Sequence, residues 1–393
     1  MNTSTRPFWS VANLVRDPHV MGSPSVMLEN INSGTGTLRS EISNNDAEKT
    51  GTPFKDGDIL FGKLRPYLAK SWHATWNGVA VGDIHVYRPY GNSDSQFLNY
   101  VVQSGDFLKY AENHSYGTKM PRCEWSSISR FQLADLTLET QQRIADYLDR
   151  ETAEIDAAVA DLDRYLELLE KRKKTLAIKH IFPHGFPQNL LSANDYLTLG
   201  YRSVQRIGSF AELRKKRNED PTADYLSLLK GRGVIPYEEK GNVGNKKPQD
   251  ITTSFMVEEG DYLVNSMNFG IGSFGRSSYS GVASAAYLIF RVNEDLVNPD
   301  FLQFVFENDD LRAQAQNLGN GILEHRKSIN WDRFRAIYVP MPPRRDQDAI
   351  VDVLSREKNE IDDLIAESTK LRELLLKRRS VLITEVVTGR KQV

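Results

Sequence analysis

The feature that most constrains this fold is an internal repeat. The run from Gln141 to Asp156 recurs as the run from Gln347 to Asp362, at a constant offset of 206 residues (347 − 141 and 362 − 156). The match continues without a gap to Arg172 and its counterpart. Internal repetition indicates copies of one structural unit. The sequence therefore predicts a globular domain and a long helix, followed by a second copy of both.

The segments before these runs also repeat, more weakly and in the same order. Gly57 matches Gly260 and Trp125 matches Trp331, so the offset rises from 203 (260 − 57) to 206 (331 − 125). Loops of different length in the two copies would cause this drift. The predicted boundaries are residues 1–139 for a first domain, 140–189 for a first helix, 190–342 for a second domain, and 343–393 for a second helix with a C-terminal tail.

Both long helices carry an apolar residue at every seventh position, which predicts a coiled coil. Neither Pro nor Gly interrupts residues 141–180, so the first helix would be a rod of roughly 60 Å. Ser368 interrupts the second stripe. The predicted pairing residues are Leu148, Ile155, Leu162, Leu169 and Leu176 in the first helix, and Leu354, Ile361, Leu375 and Leu382 in the second.

Neither helix could cover its apolar stripe alone. Antiparallel pairing within the chain is favoured because two tethered partners lose less entropy on association than two separate chains. A coiled coil between copies of the chain remains the alternative. Thr140 is predicted to cap the first helix, and the basic residues 171–174 are predicted to compensate the helix dipole at its C-terminal end.

The two globular segments are predicted to be mixed α/β with short strands. Apolar, β-branched or aromatic runs at 58–61 and 84–87 are bounded by turn residues and have counterparts at 262–264 and 287–290. The fold class is therefore α/β (α+β), with two similar domains separated by two long helices that form an antiparallel coiled coil, in a tandem pseudo-two-fold repeat.

Two glycine-rich runs resemble phosphate-binding motifs. The run from Gly57 to Leu64 nearly fits a P-loop but ends in leucine, where a hydroxyl must reach magnesium. The run from Gly270 to Gly275 fits the dinucleotide fingerprint, yet residues 276–281 do not read as the helix that should follow. We interpret the second run as a turn between strands, where glycines let the backbone approach a ligand such as DNA.

Composition argues against catalysis by the chain itself. A single Cys123 and seven scattered histidines provide no zinc-site spacing, and no Asn- or Asp-Pro-Pro-aromatic methyltransferase motif occurs. We expect no catalytic residue, no metal and no cofactor. No stretch of eighteen apolar residues occurs, so we expect no membrane span and a cytoplasmic protein. With a net charge of −2, DNA contact would need basic side chains clustered on one face.

Three motifs occur in this layout: the run from Asp56 to Tyr67, the run from Gly117 to Arg122, and the helix start at Gln141 with its second copy from Met341 to Gln347. Together they resemble the DNA-specificity subunits of type I restriction–modification systems. Two departures stand out. Residues 133–139 lack the prolines usual before the first helix, and residues 265–270 replace the basic element at 63–65, so the domains would read different half-sequences.

The resemblance implies two target-recognition domains, each reading one half of a split, asymmetric double-stranded DNA sequence. The helices would set the distance between the halves and dock two modification subunits, which carry the methyltransferase chemistry. Restriction subunits would join to translocate and cleave. A stand-alone DNA-binding regulator and a coiled-coil scaffold without DNA binding remain the alternatives.

Basic residues in predicted loops are the candidates for DNA contact. Arginine can bond a guanine edge through two donors, whereas lysine more often holds phosphates. Arg122 and Arg326 both lie in the loop before the repeated tryptophan, whereas Arg88 and Arg291 match across the repeat and are predicted to be structural. The candidates are Lys63, Arg65, Lys70, Lys119 and Arg122 in the first domain, and Arg214, Lys215, Lys216, Arg217, Lys230, Arg232, Arg276, Arg326 and Lys327 in the second.

Overall fold

The computed structural model describes residues 4–17, 19–22, 24–39, 49–243, 246–321 and 327–393. The chain forms two compact units. Unit 1 comprises residues 1–166 and 367–393, and unit 2 comprises residues 167–366. Each unit therefore contains one globular domain together with part of each long helix.

The described elements follow one another in the same general order in the two sequence repeats. The first repeat contains β1 (Thr5–Pro7), β2 (Ala12–Leu14), β3 (Val20–Gly22), β4 (Ser25–Val26), β5 (Lys49–Phe54), β6 (Ile59–Gly62), β7 (Ser71–His73), β8 (Gly78–Ala80), β9 (Ile84–Pro89), α1 (Ser95–Gln103), α2 (Gly105–Asn113), α3 (Trp125–Ile128), β10 (Gln132–Ala134) and α4 (Leu138–Ile181). The second contains α5 (Ala193–Thr198), β11 (Val204–Arg206), β12 (Ala211–Leu213), β13 (Leu226–Leu229), β14 (Gly233–Pro236), β15 (Phe255–Val257), β16 (Tyr262–Asn265), β17 (Phe274–Arg276), β18 (Gly281–Ala283), β19 (Tyr287–Val292), α6 (Pro299–Phe306), α7 (Asp309–Asn317), α8 (Trp331–Arg335), β20 (Tyr338–Pro340) and α9 (Arg344–Val387).

One antiparallel four-stranded sheet is common to both units. Its strand order is β2-β9-β6-β7 in unit 1 and β12-β19-β16-β17 in unit 2. The register is also shared, because Ile59 faces Tyr87 and, 203 residues on (262 − 59 and 290 − 87), Tyr262 faces Phe290. The predicted tandem repeat and mixed α/β fold are confirmed.

Aromatic side chains fill the core beneath each shared sheet. The repeated tryptophans occupy matched places: the Trp125 ring lies 5.5 Å from Tyr87, and the Trp331 ring lies 5.6 Å from Phe290. Phe8 completes the first group, 5.3 Å from Tyr87. Each fully buried ring of this kind contributes roughly 1.5–3 kcal/mol through burial. The repeat is therefore preserved at the positions that hold the sheet to its helices.

The long helices pair antiparallel within each unit. In unit 1, Arg379 contacts Asp156 and Arg372 contacts Asp163, so seven residues forward along α4 match seven residues back along α9. In unit 2, Lys173 contacts Asp362, and His180 lies 3.6 Å from Glu357. The predicted antiparallel pairing within the chain is confirmed.

The heptad residues do more than join the two helices. Leu148, Ile155 and Leu382 belong to the core of the unit 1 domain, and Leu176 and Leu354 belong to that of unit 2. Leu169 and Ile361 are buried, whereas Leu162 and Leu375 are half-buried. Much of each stripe is therefore covered by a globular domain, which the periodicity alone did not reveal.

Two predictions about the ends of α4 are wrong. The helix begins at Leu138, and the hydroxyl of Thr137, not Thr140, accepts a helix-start N–H, donated by Thr140 at 3.3 Å. The basic run 171–174 lies before the C-terminal end at Ile181, whose last turn holds Lys179 and His180. Lys173 instead forms an ion pair with α9.

A buried glutamine joins each long helix to its domain. The side-chain oxygen of Gln141 accepts from Asp94 N at 3.0 Å, and its amide donates to the carbonyls of Asn92 and Leu136. Gln347 bonds Asn298 N at 2.8 Å and the carbonyls of Leu296 and Pro342 in the same pattern. The repeated glutamines therefore fix the angle at which each helix leaves its domain.

Among the described helices, none is long and apolar enough to cross a membrane.

Candidate nucleic-acid interface

In unit 1 the predicted basic residues lie on adjoining loops. Arg65 N donates to Pro121 O at 2.8 Å and Cys123 N donates to Lys63 O at 3.1 Å, which joins the loop after β6 to the loop before α3. Gly62 N donates to Lys70 O at 2.8 Å and closes the first loop on itself. The basic cluster of unit 1, defined as Lys63, Arg65, Lys70, Lys119 and Arg122, is therefore brought together by backbone hydrogen bonds.

The turn that carries Arg65 is strained. Arg65 (φ 51°) and Ala69 (φ 50°) are the non-glycine residues with positive φ in the described parts of the chain, and they flank a 3-10 turn at Pro66–Leu68. Such a conformation costs about 1–3 kcal/mol per residue and persists only where neighbouring contacts enforce it. Here Arg65 also donates to Lys119 O at 3.1 Å, and Ala69 O accepts from Gly34 N at 3.0 Å.

Asp83 holds the guanidinium of Arg122 by two hydrogen bonds. Arg122 Nε and Nη2 donate to the two carboxylate oxygens at 2.9 and 2.8 Å, and this bonding lowers the pKa of Asp83. The remaining Nη1 makes only a long contact of 3.4 Å, with Met120 O. The second edge of the guanidinium is thus available to a guanine or a phosphate while the first edge fixes its orientation.

Glu124 lies between Lys63 and a buried histidine. Lys63 Nζ lies 3.5 Å from one carboxylate oxygen of Glu124, and His85 Nε2 lies 3.6 Å from the other. Burial, ahead of the charge of Lys63, lowers the pKa of His85 to about 4, so the imidazole is neutral at neutral pH. Lys63 therefore balances the charge of Glu124.

Sequence reasoning missed several parts of this site. Asp83, Glu124 and His85 have no recognisable motif, since their roles depend on residues far away in the chain. Tyr67, Tyr116 and Met120 are exposed at 48%, 62% and 48% on the same loops and offer apolar area to a ligand. The Nζ of Lys70, which is also predicted to contact DNA, donates to Leu28 O, and burial lowers its pKa.

In unit 2 three of the predicted residues line one groove of about 1040 Å³. Lys230 and Arg232 lie in the turn between β13 and β14, and Arg276 ends β17. A Cβ on Gly275 would lie 3.0 Å from the Cα of Gly233, so the two hairpins meet backbone to backbone. The predicted glycine-rich turn between strands is confirmed, because Gly270 and its neighbours connect β16 to β17.

Basic residues of the long helices line the same groove. Lys173 and Lys174 come from α4 and Lys358 from α9, where Lys358 pairs with Glu307 at 3.1 Å. Arg276 pairs with Glu294 at 2.9 Å. Within the described residues, neither Lys174 nor Lys230 has an ion pair. The groove therefore contains lysines without a described ion pair, next to glycine backbone that a ligand could approach closely.

The other predicted residues of unit 2 lie elsewhere. Arg214 pairs with Glu258 at 2.7 Å and lines a separate groove of about 610 Å³, whereas Lys215, Lys216 and Arg217 are exposed beyond it. Lys327 is half-buried and reaches Asn317 Oδ1 at 3.4 Å. Arg326 lies outside the described residues.

The structure also gives the counterparts of the unit 1 residues. Tyr116 and Arg122 exchange backbone hydrogen bonds, as do Asn320 and Ser328 in unit 2. Ile329 N donates to Ser266 O as Cys123 N donates to Lys63 O. Ser328 and Ser266 therefore occupy the places of Arg122 and Lys63.

The repeated arginines have a structural role, as predicted. Arg88 holds Asp58 through bonds of 2.9 and 2.6 Å, and Arg291 Nε holds Asp261 at 2.9 Å. Each aspartate also accepts a turn N–H three residues before it, at 2.8 Å.

No metal-binding group of His, Cys, Asp or Glu occurs in the described part of the chain.

Both the sequence and the fold of this chain match known proteins. Residues 203–373 match the family described as type I restriction modification DNA specificity domain. Over 279 residues the chain is 23% identical to a type I restriction enzyme specificity subunit of Methanocaldococcus jannaschii, a match covering 68% of this chain and 62% of that relative.

Two solved structures share the fold. A chain from work on complex assembly and conformational transition of the type I R-M system superposes with a TM-score of 0.72 and 12% identity, covering 100% of this chain and 99% of that one. The HsdS subunit from Thermoanaerobacter tengcongensis has a TM-score of 0.55 and 14% identity, covering 99% and 97%. The repeated sheet and the paired helices are thus shared with solved structures of type I restriction–modification systems, and residues 203–373 match the DNA specificity domain of those systems.

Proposed function

We propose that this chain is a non-catalytic subunit that recognises a bipartite, asymmetric sequence in double-stranded DNA, each unit reading one half. The observation that carries the proposal is one scaffold used twice with different side chains at matched surface positions. Lys63 and Arg122 of unit 1 are replaced by Ser266 and Ser328 in unit 2. A shared scaffold with divergent loops suits recognition of two different half-sequences.

The contacts in unit 1 support different roles for its basic residues. Arg122 is oriented by Asp83 and retains a free guanidinium edge, which suits direct reading of a guanine. Lys119 is exposed and suits a phosphate contact. In unit 2, Lys230, Arg232 and Arg276 would contact DNA at the glycine-lined groove.

The repeat also motivates the proposed assembly. Each unit presents a similar junction between a domain and the paired helices, so two modification (methyltransferase) subunits would bind per chain. Restriction (translocase and endonuclease) subunits would join that complex in the cytoplasm. A stand-alone regulator would instead bind its specific duplex without partners, and a scaffold would show no sequence preference in any assembly.

Methylation profiling of the co-expressed complex on a randomised-target library tests recognition. Arg122→Ala is expected to relax one position of one half-site by roughly 1–3 kcal/mol, since one bidentate base contact is lost. Arg143→Ala, an exposed arginine on α4, is the control and should leave the profile unchanged. Uniformly weaker methylation of all sequences would make Arg122 a phosphate contact. A wild-type complex without sequence preference would refute the proposed function.

A further inference from the structure

One buried arginine connects helix α9 to the domain loops of unit 1. Arg379 is 4% exposed, and each of its three guanidinium nitrogens donates a hydrogen bond. Nη1 donates to Gly34 O at 2.9 Å and Nη2 donates to Thr35 O at 2.8 Å. Nε donates to Asp156 on α4 at 2.9 Å, and Nη1 also donates to Gln103 Oε1 at 3.1 Å. A planar fork of donors is required to bind two carbonyls and a carboxylate at once.

The carbonyls that Arg379 holds belong to a tight hairpin loop, residues 32–37. Ile31 and Leu38 pair across its base, and Asn32 N donates to Thr37 O at 2.9 Å. A Cβ on Gly36 would lie 2.8 Å from the Gln103 side chain, so the loop is docked closely. The hairpin loop is therefore fixed from the helix side by contacts that leave little room for movement.

The opposite side of this hairpin loop supports the strained turn of the basic cluster. Gly34 N donates to Ala69 O at 3.0 Å, and Ser33 pairs with Lys70. Ala69 and Arg65 are the residues with positive φ that flank the turn at Pro66–Leu68. Residue 34 thus accepts from Arg379 through its carbonyl and donates to the strained turn through its amide.

The matched position in unit 2 does not make these contacts. Lys173 lies 206 residues before Arg379 (379 − 173), and its partner Asp362 lies 206 residues after Asp156 (362 − 156). Lys173 retains the ion pair between the helices. In the described part of unit 2, it makes no hydrogen bond to the turn at 230–233, which borders the open groove. The ion pair is thus repeated, whereas the contact with a loop is found, among the residues that the structure describes, for Arg379 and not for Lys173.

We propose that Arg379 is a positioning residue for DNA recognition by unit 1: it holds residues 32–37 against the strained turn, so that Arg65 and its neighbours keep the conformation that meets DNA. The inference rests on the proposed function and extends it. Strain at Arg65 and Ala69 persists only while adjacent contacts enforce it. Recognition of one half-site would therefore depend on a residue of the helix pair that does not touch DNA.

Four variants of the assembled complex test this inference by methylation profiling. Arg379→Lys keeps a positive charge beside Asp156 but cannot bond both carbonyls. We expect about a tenfold loss of discrimination in the half-site that Arg122→Ala affects, because the hairpin loop loses hydrogen bonds that hold it in place. Arg379→Gln should lose at least as much. Asp156→Asn keeps the contacts with the loop and should change discrimination less than Arg379→Lys. The matched control Lys173→Gln, which lies in unit 2, should leave the half-site that Arg122→Ala affects unchanged.

Hydrogen exchange of the complex without DNA gives a second readout that does not require sequence recognition. In Arg379→Lys, the amides of residues 33–37 and 65–70 should exchange faster than in the wild type, while those of β6 and β9 should not. Lys173→Gln should leave these amides unchanged.

The two measurements distinguish the possible failures. If the wild-type complex shows no sequence preference, the proposed function fails, and hydrogen exchange still tests the contact between Arg379 and the loop. If Arg379→Lys leaves exchange and the profile unchanged, or weakens both half-sites equally, the positioning role is overturned.

Discussion

Units 1 and 2 are alike in the contacts that build their framework and different on the surfaces proposed to contact DNA. Both contain the same four-stranded sheet, the same Asp–Arg pair and the same buried glutamine at the start of a long helix. These contacts are internal, and each satisfies buried polar groups that would otherwise be costly. The repeat is therefore preserved most strongly where a change would destabilise the fold.

The surfaces have diverged in a different way. In unit 1, carboxylates orient Arg122 and neutralise Lys63, and Arg379 secures the loop behind them. In unit 2, serines take two of these places, and the basic residues surround a groove with glycine-rich walls. One framework therefore carries two kinds of candidate interface. In unit 1 ion pairs orient the basic side chains, and in unit 2 a ligand could approach the glycine backbone closely.

The largest effect on stability is expected at a matched heptad position whose burial differs between the two long helices. Leu169 is 4% exposed, whereas its counterpart Leu375 is half-buried. Leu169→Asp should destabilise the chain by several kcal/mol and reduce complex assembly, because a charge would be buried without a partner. Leu375→Asp should cost less. Urea denaturation and co-purification with the modification subunit measure both effects.

Leu168→Asp is the control for this pair, since Leu168 is 56% exposed and its change should leave the free energy of unfolding nearly unaltered. Assembly that survives Leu169→Asp with unchanged stability would show that this position does not hold the helices together.

A second prediction concerns what the units share. Gln141→Ala and Gln347→Ala each remove a side chain that satisfies one buried amide and two carbonyls. We expect about 3 kcal/mol of destabilisation for each, because unsatisfied buried polar groups cost about 1–3 kcal/mol. Urea denaturation, with hydrogen exchange to locate the weakened unit, measures this. Gln142→Ala, at an exposed neighbour, should have little effect. A marked difference between the two variants in the free energy of unfolding would show that the two junctions are not equivalent.

The smallest predicted effect is a pH dependence of stability that comes from a histidine of unit 1. His85 has a pKa of about 4 in the folded chain, below its ordinary value of 6.5, and Leu288 occupies its matched position 203 residues on (288 − 85). Between these pKa values the unfolded chain binds more protons, so stability falls as the pH is lowered from about 6.5 towards 4. From pH 7 to pH 5 the loss should be about 2 kcal/mol.

His85→Leu, which copies unit 2, should remove that part of the pH dependence in urea denaturation at pH 7 and pH 5. The pH dependence is compared within each variant, because the substitution also removes the bond between His85 and the Tyr87 hydroxyl. Equal pH dependence in the wild type and the variant would mean that His85 does not titrate as its burial requires.

Sequence patterns alone predicted the repeat, the two long helices, their apolar stripes and the structural role of Arg88 and Arg291. They could do so because these features are periodic or duplicated, and both properties are visible along a chain without knowledge of its folding. The positions of the helix ends were less accessible, since Thr137 and Thr140 are equally suitable capping residues by type. The tertiary structure decided between them by setting where the helix begins.

The folded chain alone shows which basic residues lie close together. Arg122 is oriented by Asp83, 39 positions away, and Arg379 reaches Gly34 across 345 positions. Arg214 looked equivalent to Arg276 as a charge in a loop, yet the two line separate grooves. Charge and residue type are local properties, whereas the orientation of a guanidinium depends on partners that only the folded chain brings within hydrogen-bonding distance.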